Sequence, residues 1–178
     1  IASFIIFGSV LFSTGGGKTF IDLSCYLVGN SYGGAAKIAT VASSLFGMIS
    51  GSGSANVATT GAFTIPLMKR VGYAPEFAGA VEAAASEGGQ IMPPILGAAC
   101  FIMAEILGES YARIALSALL PAILYYFGVF FSIDLEARKR KYRGVPTSEI
   151  PPLKSILYYK NSLPVFLPVL TLIAFFLL

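Results

Sequence analysis

The hydrophobic and polar positions of this chain fall into long blocks whose lengths match the thickness of a lipid bilayer. Residues 114–133 are twenty consecutive residues without a formal charge, bounded by Arg113 and Asp134. Since about 20 apolar residues suffice for one helical crossing, a transmembrane helix is predicted over residues 111–133. Pro121 lies inside this helix, where neighbouring helices or water can satisfy the carbonyl that it frees.

A second charge-free block, residues 38–68, is too long for one crossing and too short for two crossings with a turn. Its middle is the run SGSGSANVATTG, from Ser50 to Gly61. Glycine-rich backbone at membrane depth is tolerated only where protein or a water-filled cavity covers it. We therefore predict a re-entrant helical hairpin over residues 37–70, which enters and leaves on the same side with its tip near the midplane.

The block after the hairpin begins like a helix and then breaks. Pro75 suits the first helical turn, and Glu76 complements the positive helix end. The run EGGQIMPP, from Glu87 to Pro94, then places two glycines and two prolines where mid-membrane helix is expected. A discontinuous transmembrane helix is predicted over residues 74–108. In secondary transporters, the half-helix ends of such breaks hold ions and anionic substrates.

The other segments of the chain complete this organisation. Residues 1–13 are predicted to end one transmembrane helix, and residues 161–178 to start another. Residues 14–36 are predicted to form an interfacial connector, because their short apolar stretch contains Asp22 and is bracketed by glycines. Residues 134–160 hold many basic residues and prolines, which indicates a cytoplasmic loop. Both ends look cut from something longer, so residues 1–178 are interpreted as a single membrane-domain fragment.

The composition supports the same class of protein. Of the 178 residues, 56% are apolar and only 12% are charged, whereas a soluble domain carries about a quarter charged residues. The cysteines Cys25 and Cys100 lie far apart, and the chain has no histidine. A zinc site therefore has too few soft ligands, and a hydrolytic triad with a histidine base is excluded. We predict an all-α polytopic membrane protein.

The distribution of positive charge gives the chain an orientation. If residues 134–160 are cytoplasmic, eleven of the twelve lysines and arginines fall on that side, as the positive-inside rule requires. Arg113 remains outside. The eleven are Lys18, Lys37, Lys69, Arg70, Arg138, Lys139, Arg140, Lys141, Arg143, Lys154 and Lys160. A single ordinary crossing at residues 38–68 would separate the first two of these from the next two, so the charge pattern favours the hairpin.

The hairpin turn concentrates hydroxyl and amide side chains beside glycine carbonyls. Neutral oxygens of this kind suit a hard monovalent cation such as sodium and suit transition metals poorly. The predicted sodium ligands are Ser50, Gly51, Ser54, Asn56, Gly88 and Gly89. The predicted substrate-binding residues are Ser52, Ser54, Asn56, Gln90 and Pro93. The alternative is that these small residues only allow helices to pack closely. No cofactor is predicted beyond the coupling sodium ion.

Two glutamates of the broken helix are further candidates, because an ionisable group at membrane depth is functional by default. Glu87 adjoins the break and is a candidate for binding an ion, for carrying a proton or for gating. Glu82 has an alternative explanation, which is that it lies shallow enough to reach the membrane interface. Gln90, within the break, offers both a donor and an acceptor to a polar ligand.

Two long runs carry a resemblance to a known family. They are FGMISGSGSANVATTGAFTIPLMKRVGY, residues 46–73, and FAGAVEAAASEGGQIMPPILGAA, residues 77–99. With these runs the chain resembles the large permease subunit of tripartite ATP-independent periplasmic (TRAP) transporters, in particular fused permeases that work with a TAXI-type binding protein. The resemblance implies a sodium-coupled importer of organic acids, working by an elevator mechanism with inverted repeats, of which this chain covers the first.

The resemblance also implies partners and a location. These are a carboxylate substrate, a periplasmic solute-binding protein, a small membrane subunit or its fused equivalent, and the bilayer of a bacterial or archaeal cytoplasmic (inner) membrane. Neither an enzymatic activity nor a nucleic-acid partner is implied. By analogy, residues 50–61 form the tip of the first hairpin and residues 88–94 the unwound part of its partner helix. Some family members have an aspartate at the position of Asn56, so a charge-based role does not transfer there.

Two other functions remain open at the level of sequence. One is an elevator carrier that works without a binding protein, such as a dicarboxylate or other anion permease. The other is an ion channel whose pore the hairpin lines. An intramembrane enzyme using Glu87 would need a second catalytic group at matching depth, and no convincing one is present in the sequence.

Overall fold

The computed structural model describes residue 10, residues 15–146, residues 150–156, and residues 167, 170 and 171. The transmembrane segments predicted at residues 1–13 and 161–178 therefore lie outside the described residues, apart from these isolated positions. All regular secondary structure in the described part of the chain is helical, which confirms the all-α class for that part.

Seven helices are described, and the first six follow one another with connections of two to eight residues. They are α1 (Gly17–Val28), α2 (Gly34–Ser50), α3 (Gly53–Arg70), α4 (Pro75–Gly89), α5 (Ala98–Leu107), α6 (Tyr111–Arg140) and α7 (Leu153–Ile156).

Helices α2 and α3 form an antiparallel hairpin with a two-residue connection. Gly51 has a φ of 61°, a left-handed conformation that glycine adopts without steric cost. Hydrogen bonds between side chains and backbone of the two helices then join them across the hairpin. The Asn56 amide donates to the Ser43 carbonyl at 2.7 Å, and the Ser43 and Thr60 hydroxyl oxygens lie 3.0 Å apart. That this hairpin re-enters the membrane from one side stays a prediction.

Helix α4 packs against both helices of the hairpin and ends at the glycine pair of the predicted break. The chain is not helical from Gln90 to Gly97, and α5 begins only at Ala98. The non-helical segment closes on itself, because the Gly97 amide donates to the Gln90 carbonyl at 2.7 Å. Glycine and proline thus interrupt the helix where the sequence indicates an interruption.

Helix α6 is, among the described residues, the one helix long and apolar enough to cross a membrane. It has 30 residues and continues through Pro121. Only 17% of its most apolar 18-residue window is buried, whereas the core helix of a soluble protein would be mostly buried. Its exposed apolar side chains include Leu116, Leu120, Leu124, Phe127 and Phe131.

The end of α6 differs from the prediction, since the helix continues seven residues past Ile133 to Arg140. Ion pairs between residues four apart support these last two turns, joining Asp134 to Arg138 and Glu136 to Arg140. The predicted loop at residues 134–160 therefore begins as helix. Charged residues indicate where the chain leaves the apolar part of the membrane. A helix can continue past that point, as α6 does.

Two turns and the end of α6 lie close together at the end of the bundle that carries most of the basic residues. The Gly33 amide donates to the Tyr142 carbonyl at 3.2 Å, and the Tyr73 and Tyr142 rings lie 4.1 Å apart. Lys37 of α2 donates to Asp134 of α6 at 2.6 Å. The turn before α2, the turn after α3 and the end of α6 are therefore neighbours, so the basic residues beside them lie at the same end of the bundle.

Candidate functional site

The hairpin turn and the helix break, about forty residues apart in sequence, are in direct contact. The Ile95 amide donates to the Met48 carbonyl at 3.1 Å. A β-carbon on Gly51 would lie 2.8 Å from the Leu96 carbonyl oxygen. The hairpin tip therefore packs directly against the break, and only a glycine fits at position 51.

Four polar side chains surround this contact and form what we call the junction patch: Ser52, Ser54, Glu87 and Gln90. The two serine hydroxyl oxygens lie 3.5 Å apart, and the Gln90 amide donates to Glu87 Oε2 at 2.5 Å. Ser54 and Glu87 are exposed, and the other two are half-buried. The patch offers hydroxyls and an amide to a polar ligand. It also presents a carboxylate, which an anionic ligand would approach only if a cation were present.

Asn56 and Ser50 lie beneath the patch and are buried. Asn56 is 0% exposed; its amide donates to the Ser43 carbonyl at 2.7 Å, and its Oδ1 accepts from Thr60 at 3.1 Å. The Ser50 hydroxyl oxygen accepts from the Ser52 amide at 3.5 Å. In this arrangement Asn56 holds the two hairpin helices together, and its predicted contacts with substrate and sodium stay predictions.

Two of the three glycines predicted as sodium ligands, Gly88 and Gly89, lie at close helix contacts. A β-carbon on Gly89 would lie 2.6 Å from the Gly47 α-carbon, and one on Gly88 would lie 2.6 Å from the Tyr125 ring. These distances agree with the alternative of close helix packing. Their carbonyl oxygens also have hydrogen-bond donors within the protein. The Gly88 carbonyl accepts from the Ile91 amide at 3.2 Å, and the Gly89 carbonyl accepts from the Met92 amide at 3.3 Å.

Pro93 is half-buried within the break, and its neighbours are anchored by Tyr111 of α6. The Tyr111 hydroxyl donates to the Pro94 carbonyl at 3.0 Å and accepts from the Leu96 amide at 2.8 Å. The sequence reasoning missed Tyr111. The only available signal was an aromatic residue at the start of the predicted transmembrane helix.

The depth of the break follows from contacts between α4 and α6. The Tyr125 and Tyr126 hydroxyls donate to the carbonyls of Ala84 and Ala85, each at 2.8 Å. Tyr126 lies twelve residues after Ile114, hence about 18 Å along a charge-free span of about 30 Å. The end of α4 therefore lies near the middle of the span that α6 defines.

Glu82 is fully buried, at 0% exposure. Its Oε1 lies 2.5 Å from the Thr60 hydroxyl oxygen, 2.8 Å from that of Ser43 and 3.1 Å from that of Ser86, and its Oε2 lies 2.5 Å from that of Thr64. The alternative in which Glu82 reaches the membrane interface is wrong for this arrangement. The sequence shows that Thr60 and Thr64, four residues apart, share a face of α3, but only the packing of the helices brings that face to Glu82.

Comparison of the sequence with known proteins assigns the chain to a family. The family model described as "Tripartite ATP-independent periplasmic transporter, DctM component" matches residues 1–178. A protein of Salmonella typhimurium named YgiK, described as uncharacterized, is 31% identical over 92% of this chain and 37% of its own length.

Relatives whose names include a substrate have a similar sequence identity to the chain. A C4-dicarboxylate TRAP transporter large permease of Vibrio cholerae is 32% identical over 76% of this chain and 30% of its own length. The sialic acid TRAP transporter permease of Haemophilus influenzae is 29% identical over 80% of this chain and 23% of its own length. The chain thus spans about a third or less of these curated relatives. It belongs to the family of the DctM component, the large permease of tripartite ATP-independent periplasmic transporters.

Proposed function

We propose that the chain is part of the membrane permease of a sodium-coupled secondary transporter that imports organic acids. The observation that carries the proposal is the contact between the hairpin turn and the helix break near the middle of the α6 span. Such a junction brings helix ends and polar side chains together at membrane depth, as in the binding sites of secondary transporters. The names of the relatives above, C4-dicarboxylate and sialic acid permeases, support carboxylates as the substrate class.

The junction patch supports a coupling cation. Glu87 is exposed there, and Gln90 is the neutral group that donates to it. A carboxylate substrate approaching this patch would be repelled by Glu87, and the repulsion is strong at low dielectric. A sodium ion bound to the oxygens of the hairpin turn and the break would offset that charge. Binding of the cation and of the anion would then favour each other.

The same proposal includes the remaining parts of the transporter. The hairpin re-enters the membrane from the cytoplasmic side, and it moves with α4 as one unit in an elevator mechanism. A periplasmic solute-binding protein, of the TAXI type by the resemblance of the two runs, delivers the substrate. A small membrane subunit or its fused equivalent completes the permease in the cytoplasmic membrane.

Uptake by the full-length parent protein in proteoliposomes tests the proposal. The parent is reconstituted with its small subunit and its binding protein, and a radiolabelled C4-dicarboxylate and a radiolabelled sialic acid are supplied in turn. We expect uptake that requires an inward sodium gradient and is absent when potassium replaces sodium. Unchanged uptake in sodium-free buffer would overturn sodium coupling. Uptake without the binding protein would instead favour a carrier of the binding-protein-independent kind.

A matched pair of variants addresses the junction patch in the same assay. Glu87→Gln removes the charge that the cation offsets, so the sodium concentration for half-maximal uptake should change by about tenfold, as expected for a loss of about 1.4 kcal/mol of coupling. Glu76→Gln, an exposed glutamate in the first turn of α4, serves as the control and should leave it unchanged. Equal behaviour of the two variants would remove Glu87 from the proposal.

A further inference from the structure

One group of buried side chains is not used by the proposed transport site. We call it the Glu82 cluster, and it consists of Glu82 and four hydroxyl residues from three helices: Ser43 of α2, Thr60 and Thr64 of α3, and Ser86 of α4. All five are buried, with exposures of 0 to 2%. The cluster lies where the hairpin packs against α4, on the side of the break nearer the basic end of the bundle.

No basic side chain in the described part of the chain pairs with this carboxyl. Among the described residues, no lysine or arginine forms an ion pair with Glu82, and all four of its hydrogen-bond partners are hydroxyls. The charged groups of the packed helices are engaged or lie elsewhere. Lys37 of α2 pairs with Asp134 of α6, Lys69 and Arg70 are exposed at the end of α3, and Glu87 of α4 is exposed at the junction patch. An ionised Glu82 would be a buried charge without a counter-charge, which is costly within a membrane.

The cluster also contains more close oxygen contacts than its hydroxyl hydrogens can bridge. Thr60 Oγ1 lies within 3.1 Å of four oxygens: the carbonyl and Oδ1 of Asn56, Ser43 Oγ and Glu82 Oε1. Thr64 Oγ1 contacts both Glu82 Oε2 and the Thr60 carbonyl. With the Ser43 and Ser86 contacts to Glu82, eight oxygen pairs lie between 2.5 and 3.1 Å, and the four hydroxyls supply four hydrogens.

The spacing distinguishes a proton from a metal ion. A cation bound at about 2.4 Å, as in oxygen-liganded sites, holds neighbouring octahedral ligands about 3.4 Å apart. The Glu82 oxygens are 2.5 Å from Thr60 and Thr64, which is too close for an ion to lie between them. Short oxygen pairs of about 2.5–2.8 Å are those that a hydrogen bridges.

We propose that the Glu82 cluster is a proton-binding site, in which Glu82 is held as a neutral carboxylic acid while the hairpin is packed against α4. The bound proton supplies a fifth hydrogen to the cluster. It joins Glu82 to one hydroxyl oxygen and frees that hydroxyl's own hydrogen for the Asn56 carbonyl. The site is separate from the junction patch, and it stands whether or not the parent protein transports a carboxylate with sodium.

Infrared difference spectroscopy of the full-length parent protein in lipid at neutral pH tests this site, because a carboxylic acid has a carbonyl band that a carboxylate lacks. Subtracting the spectrum of Glu82→Gln from that of the unmodified protein should leave one carboxylic-acid band, which shifts in deuterium oxide. The control Glu109→Gln changes a partly exposed, ion-paired glutamate and should remove carboxylate absorption instead. Loss of a carboxylate band from Glu82→Gln would overturn the proposal.

A second pair of variants keeps the test decisive if Glu82→Gln does not fold. Thr64→Val removes the hydroxyl that Glu82 Oε2 contacts, so the acid band should persist at a shifted frequency. Thr59→Val is the matched control, because the Thr59 hydroxyl donates to the Ala55 carbonyl of its own helix at 2.6 Å and does not contact Glu82. A band that neither variant moves, or that both move equally, would contradict the assignment to Glu82.

Discussion

The glycines of the hairpin and of α4 have different physical roles at the scale of the residue. Gly51 supplies a left-handed turn, whereas Gly47 and Gly89 allow two helix backbones to touch. A β-carbon on Gly47 would lie 2.6 Å from the Gly89 α-carbon and 2.9 Å from the Asn56 amide nitrogen. Gly79, which also lies inside a helix, has nothing within 4 Å of the same position.

This contrast predicts opposite effects of one substitution at two sites. Gly47→Ala should lower the free energy of unfolding of the parent protein by about 1–3 kcal/mol, because overpacking against a backbone cannot relax easily. Gly79→Ala should raise it by up to about 1 kcal/mol, because alanine favours the helix. Thermal unfolding of the two variants in detergent measures the difference. Equal midpoints would show that α2 and α4 do not approach as closely as described.

At the scale of the element, α6 is joined to α2 by one ion pair beyond the predicted end of the transmembrane span. Lys37 donates to Asp134 at 2.6 Å, and Arg138 donates to the same carboxylate at 2.5 Å. The hydrogen bonds from Lys37 and Arg138 lower the pKa of Asp134 below its ordinary value of 3.8. Among the described residues, Glu136 forms its ion pair with Arg140 of its own helix.

The lowered pKa predicts how stability depends on pH. A depressed carboxyl pKa contributes stability that is present above 3.8 and is lost as pH falls through the folded-state pKa. The unfolding midpoint of the parent protein should exceed that of Asp134→Asn by a constant amount at neutral pH, and the gap should shrink below 3.8. Glu136→Gln, which removes no link between helices, should have a smaller effect. A gap that widens on acidification would contradict the pairing.

At the scale of the whole molecule, the basic ends of several helices share one end of the bundle. Lys18 and Arg70 line one apolar pocket of about 570 Å³ between α1 and α3, and Lys37 pairs with α6. Arg113 lies at the opposite end of α6 from Arg138 and Arg140. This arrangement agrees with a hairpin whose two ends face the cytoplasm.

Labelling of single cysteines from each side of the membrane checks this orientation. In a parent protein with every cysteine, including Cys25 and Cys100, replaced by serine, Lys139→Cys should react with an impermeant maleimide in inverted vesicles, and Arg113→Cys should react in intact spheroplasts. Lys18→Cys and Lys69→Cys flank the hairpin and should both behave like Lys139→Cys. Labelling of Lys18→Cys and Lys69→Cys from opposite sides would mean that the hairpin is a single crossing.

Features that depend on local chemistry can be predicted from the sequence alone. A charge-free block of twenty residues is enough to indicate a crossing helix, and the dense glycines and prolines of residues 87–94 are enough to indicate a break. A glycine at position 51 allows the tight turn between two helices, because it accepts a positive φ. These features need only neighbouring residues, so the hairpin and the helix break could be predicted without a structure, whereas the pairing of the hairpin tip with the break was implied by the family resemblance.

Which side chains are in contact became clear only from the packing of the helices. It turned Asn56 inward to the Ser43 carbonyl, placed Gly47 on Gly89, and surrounded Glu82 with hydroxyls from helices far apart in sequence. It also joined the end of α6 to α2 through the ion pair of Lys37 and Asp134. The physical reason is that hydropathy and spacing define the face of one helix, whereas the rotation and depth of its partner depend on packing between helices.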